Sequence, residues 1–91
     1  MNEDMQLAAM MDLAEELGVE IRRVVNTGEP TEHPGGAVIR LKGNAIIFLD
    51  PTAAKGDQIA VLAAALAGRT ELADRFLPPE IRALLDNPQA D

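Results

Sequence analysis

His33 is the only imidazole in the chain, and it lies in the run 26–36, NTGEPTEHPGG, with Glu29 and Glu32 as its nearest carboxylates. One imidazole and two carboxylates are ligand types that a zinc ion accepts. A specific centre also needs fixed geometry and outer hydrogen bonds to orient its ligands. A Pro/Gly-rich loop supplies neither from sequence, so His33 reads first as a solvated loop residue and only second as a metal or catalytic group. Nucleophilic catalysis has little to draw on. The chain has no Ser, Cys or Tyr, and Thr27, Thr31, Thr52 and Thr70 are its only hydroxyl side chains. The carboxylate pairs Asp12-Glu16 and Glu15-Glu16 fall on the outer face of an expected helix, away from the burial that tunes an acid for proton transfer. Gly35-Gly36 suggests a phosphate loop, but that device needs a strand before it and a helix after it. Here a strand follows, so a turn or bulge is expected. Lys55-Gly56-Asp57 sits near a helix start, where free N–H groups attract anions; no supporting pattern surrounds it. No catalytic, cofactor-binding or metal-ligating residue is assigned.

The elements that would position these groups follow from periodicity. Met10, Leu13, Ala14 and Leu17 recur at helical spacing within 3–17, with Asp12, Glu15 and Glu16 opposite and Gly18 at the expected C-terminal stop. Met5, Met10 and Met11 suit either core packing or an adaptable partner surface. Residues 19–25, VEIRRVV, alternate as an edge strand broken by Arg23. Segments 37–42 and 45–50 flank Gly43-Asn44, which predicts a two-residue hairpin turn of type II′. That turn would pair Leu41 with Ile46 and Ile39 with Phe48 on a core face. It would set Arg40 against Ile47 and Val38 against Leu49 on a mixed second face. A second helix is expected over 54–67, with Ile59, Leu62, Ala63 and Leu66 buried and Gly68 ending it. Leu77-Pro78-Pro79-Glu80 opens a last helix over 79–86, stopped by Asn87-Pro88. The order α-β-β-β-α-α describes one α+β domain over 1–91, a small antiparallel sheet with helices on one face.

Within that order, three stretches resemble the ImmA/IrrE-type metallopeptidase core. They are LAEELGVEIRRV, GGAVIRLKGNAIIFLD and DQIAVLAAALAG, covering about residues 11 to 68. The last is similar to the helix on which that family carries an AHELGH-like motif. There, two His one helical turn apart hold zinc and the intervening Glu is the general base. Carried onto this chain, the first His position is Ala64, the Glu position is Ala65 and the second His position is Gly68. None of these binds zinc or moves a proton. The resemblance therefore implies the shape of a peptidase core without its chemistry.

Composition narrows the remaining classes. The 91 residues include two Phe, no Trp and no Cys, so the core is light and no disulfide framework supports it. Self-association is a common remedy for such a chain. The net charge is −7, and residues 1–32 carry −6 of it. That balance repels phosphate backbones and disfavours direct nucleic-acid binding. MNEDMQ lacks a signal-peptide pattern and the longest apolar run, 59–67, is far short of a membrane span, so a cytoplasmic location is expected. Three expectations follow. The first is a non-catalytic domain acting through protein–protein contact as a homodimer, with Val38, Ile47 and Leu49 as its interface and Arg40 at the rim. On that reading, a charge at Ile47 dissociates the dimer without unfolding it. The second is a regulatory domain whose acidic first helix binds a basic, DNA-binding protein. The third is a metal-binding or enzymatic protein using His33 with Glu29 and Glu32.

Overall fold

Asn2 opens helix α1 (Glu3–Glu16) by accepting the Met5 N–H at 2.8 Å on its side-chain oxygen, and Glu3 and Asp4 in the first turn complement the helix dipole. The helix closes in a Schellman arrangement: Val19 N–H donates to Ala14 O at 2.9 Å and Gly18 N–H to Glu15 O at 3.0 Å. The computed structural model describes residues 1–28, 30–31 and 33–86. The expected stop at Asn87-Pro88 lies outside the described residues. The strands are β1 (Glu20–Arg23), β2 (Gly36–Leu41) and β3 (Asn44–Leu49), followed by helices α2 (Lys55–Leu66) and α3 (Pro79–Asp86), with a 3-10 turn at Thr70–Leu72 between the two helices.

The α+β class and the order α-β-β-β-α-α are those expected. The sheet is mixed rather than wholly antiparallel: its strand order is β1-β3-β2, and β1 runs parallel to β3. The reason is the path of the chain. Loop 24–35 leaves β1 and enters β2 at the same end of the sheet, so β1 and β2 run opposite ways. The hairpin then returns β3 between them, antiparallel to β2 and hence parallel to β1. The loop must span two strand spacings, about 10 Å, which its length allows easily. It is fastened to the end of β3 from both sides. Val24 N–H donates to Leu49 O at 2.9 Å, and Asp50 N–H donates to Gly35 O at 2.9 Å.

The hairpin turns at Lys42-Gly43 rather than Gly43-Asn44. Both turn residues have positive φ, 48° and 84°, which makes the turn type I′ and closes it on the pair Leu41↔Asn44. Ile39 therefore faces Ile46 and Val38 faces Ile47. Face membership survives the shift, because the register moves by two residues and the strand period is two. The tight turn at His33–Gly36 comes from reciprocal backbone bonds, His33 N–H to Gly36 O at 3.2 Å and Gly36 N–H to His33 O at 3.1 Å. Its glycines are needed for close approach. A Cβ on Gly36, whose φ is +148°, would stand 1.8 Å from Phe48 O, and one on Gly35 would stand 2.4 Å from Asp57 O in the first turn of α2.

Helix α2 is the centre of the molecule. Ile59, Val61, Leu62, Ala63, Ala65 and Leu66 are all buried, so it is apolar nearly all round. It packs on β3 and β2 on one side and on α1 and α3 on others. Met10, Leu13 and Ala14 of α1 meet it, as do Ile81 and Leu85 of α3. Met10 is thus core, whereas Met5 is exposed. The Arg82 guanidinium ties α3 to the preceding turn by donating to Leu72 O at 3.2 Å and Arg75 O at 2.6 Å. Among the described residues, no helix is long and apolar enough to cross a membrane.

Candidate functional site

Among the described residues, helices cover one face of the sheet and leave the other without a helix. The covered face carries Ile47 and Leu49, 0% and 1% exposed, with Val38, Ala45 and Ile21 packed against the core. This reverses the expected sides. Ile47 and Leu49 lie inside the monomer, Val38 is half-buried, and Arg40 is exposed at the sheet edge, so these four do not form an interaction surface. The face expected to be core is the outer one: Ile39 is 43% and Leu41 59% exposed, with Ile46 and Phe48 half-exposed beside them. Strand β1 marks the difference. Glu20 is in register with Ile46 and Arg22 with Phe48, so the charged positions of β1 share the outer face. Glu20 and Arg22 pair with each other there.

The outer apolar strip runs on past the end of β3. Phe48 and Ala37 also line a groove of about 420 Å³ between the sheet and loop 24–31, whose other walls include Val24, Val25 and Pro30. Val24 and Val25 are each about half exposed, at 53% and 51%. Asp50 sits at the groove's floor and holds the loop in place. Its carboxylate accepts the Thr52 hydroxyl at 2.6 Å, the Thr52 N–H at 2.9 Å and the Asn26 N–H at 3.3 Å. The Thr52 hydroxyl, followed by the two backbone donors, keeps this carboxyl below the ordinary Asp range. With three donors from Thr52 and Asn26 on its carboxylate, Asp50 is a peg for the loop.

A second cavity, about 360 Å³, lies between the free edge of β2 and α2, lined by His33, Val38, Arg40 and Ala64. Among the described residues, neither the His33 imidazole nor the Arg40 guanidinium has a hydrogen bond or ion pair. Strand β2 is the last strand of the sheet on this side. Since the turn closes on Leu41↔Asn44, the odd residues of β2 bond β3 and the backbone N–H and C=O of Val38 and Arg40 point outward.

The remaining candidate residues are placed as follows. Of the three positions singled out by the peptidase resemblance, Ala64 lines the second cavity, Ala65 is buried, and Gly68 lies beyond the end of α2. Glu29 and Glu32 lie outside the described residues. Among the described residues, no group of three or more His, Cys, Asp or Glu could hold a metal ion. The first turn of α2 faces acids. Lys55 pairs with Asp4 at 2.6 Å, which raises its pKa, and Glu3 approaches Gly56. Carboxylates thus already occupy the space in which an anion would meet Lys55-Gly56-Asp57. Asp12 and Glu15 are exposed on α1, near Arg23, whose guanidinium contacts Met11 Sδ at 3.5 Å. Compared with protein-family models, curated proteins and solved structures, the chain matches none.

Proposed function

We propose that this protein is a non-catalytic protein-interaction domain that self-associates, as a dimer, through the outer face of its sheet. The observation that carries this reading is the strip Ile39, Leu41, Ile46 and Phe48, which no described helix covers and which continues into the Val24–Val25–Pro30 groove. A contiguous apolar surface of this kind on a small domain marks a contact site. A second copy laid on it would bury the side chains that a 91-residue chain with a light core leaves in water. The absence of chemistry is part of the proposal. It rests on Ala64, Ala65 and Gly68 standing where the resembling peptidases carry their ligands and base, and the peptidase-like core itself rests on the helix–strand–hairpin–helix order over 11–68. The acidic helix is a weaker basis for partner binding, since Asp4 and Glu16 are engaged by Lys55 and Arg75 within the chain.

The test is the solution mass by light scattering across a concentration series, for the wild type and for Leu41→Glu and Ile39→Lys. Both sites are exposed, so each variant keeps its circular dichroism spectrum. The wild type is expected at dimer mass and both variants at monomer mass. A wild type that stays monomeric at every concentration, or variants that keep the dimer mass, would overturn the proposal.

A further inference from the structure

We propose that the free edge of β2, with the cavity beside it, binds the C-terminal residues of an extended peptide and captures its terminal carboxylate. Three observations converge on this place. The outward N–H and C=O groups of Val38 and Arg40 offer a short ladder to an added strand. The cavity of about 360 Å³ has an apolar floor, Val38 and Ala64, with room for one small side chain. At its rim stand an imidazole and a guanidinium that have no partner among the described residues.

The carboxylate follows from the donors. A guanidinium presents parallel N–H groups that match a carboxylate in a bidentate bond, stronger than a neutral hydrogen bond. In a strand paired with Val38 and Arg40, the last residue places its side chain over the Val38–Ala64 floor. Its terminal carboxylate then lies one bond further on, within reach of Arg40 and His33. A free phosphate lacks the apolar body and the backbone that the floor and the ladder would engage. The net charge of −7 gives anions no long-range attraction, so binding depends on these local contacts. The site is at the free edge of β2 on the side that faces α2, and the self-association strip is on the outer face, so the two proposals stand independently.

The experiment is a two-dimensional amide NMR titration of the full chain with acetyl-Thr-Val-Thr-Ala as its free acid, as its C-terminal amide, and with acetate and inorganic phosphate as separate arms. The free acid is expected to produce saturable shifts at the Val38 and Arg40 amides. The amide form should bind at least ten-fold more weakly, and so should the free acid to Arg40→Gln, whose exposed position leaves the fold intact. Acetate and phosphate should give no saturable shift at these amides. Equal binding of the amide would reduce the site to strand pairing and overturn the carboxylate assignment. Saturation by acetate or phosphate alone would make it a general anion site and overturn the peptide assignment. No shift at Val38 and Arg40 would remove the site.

Discussion

Ile47 has no exposed surface and sits opposite Val38, beneath α2. A carboxylate placed there would have to leave water without a partner. Breaking a core of this size in that way costs at least about 3 kcal/mol, a large share of the stability of a small domain. Ile47→Glu is therefore expected to unfold the monomer, seen as loss of the cooperative urea transition, rather than to release a folded one. A folded, monomeric Ile47→Glu protein would instead place Ile47 at a surface. The same residue shows what single positions hide from a sequence reader. Ile47 and Leu49 share their face with Arg40, whereas Leu41, Ile39, Ile46 and Phe48 make a cleaner apolar set. Counting apolar residues thus favours the wrong face. The guanidinium of Arg40 is tolerated on the covered side because β2 is an edge, where the helix layer presents only Ala64 and the long side chain reaches solvent.

At the scale of elements, periodicity was sufficient for the helices and insufficient for strand pairing. The stripes Met10-Leu13-Ala14 and Ile59-Leu62-Ala63-Leu66 announce both large helices, and both are buried as expected. Strand β1 is shorter than the expected 19–25, since Val24 keeps only its bond to Leu49 while its side chain turns outward. The parallel β1–β3 pairing was not legible, because it is decided by where loop 24–35 begins and ends and by no residue within the strands. The candidate site was legible only as ingredients. His33 and Arg40 are visible in the chain, but their lining one cavity with Ala64 depends on the tight His33–Gly36 turn and its glycine packing on α2. The turn itself offers a direct check. Lys42 occupies a left-handed conformation, φ 48°, at the first position of a type I′ turn, where Asn is preferred. Lys42→Asn is expected to stabilise the protein by about 0.5–1 kcal/mol, read as a raised urea midpoint with unchanged slope. An unchanged or lowered midpoint would count against the turn assignment.

For the whole molecule, charge and apolar surface are segregated. Acids crowd α1, while Arg22 lies on β1 beside the apolar strip and Lys42 in the hairpin turn at its end. Two copies of a chain with net charge −7 repel one another at a distance. Screening that repulsion should favour an association driven by apolar contact, so raising salt to about 0.5 M is expected to increase the dimer fraction in sedimentation. A fall in dimer fraction would point to ion pairing as the driving contact. The mixed sheet also has a consequence in time. Its central strand, β3, is the last to be synthesised, and neither edge strand has a neighbour to bond until β3 exists. As the chain leaves the ribosome, α1, β1 and β2 emerge before the strand that joins them. The six residues of β3 supply that piece, so the sheet is completed in one late step rather than strand by strand.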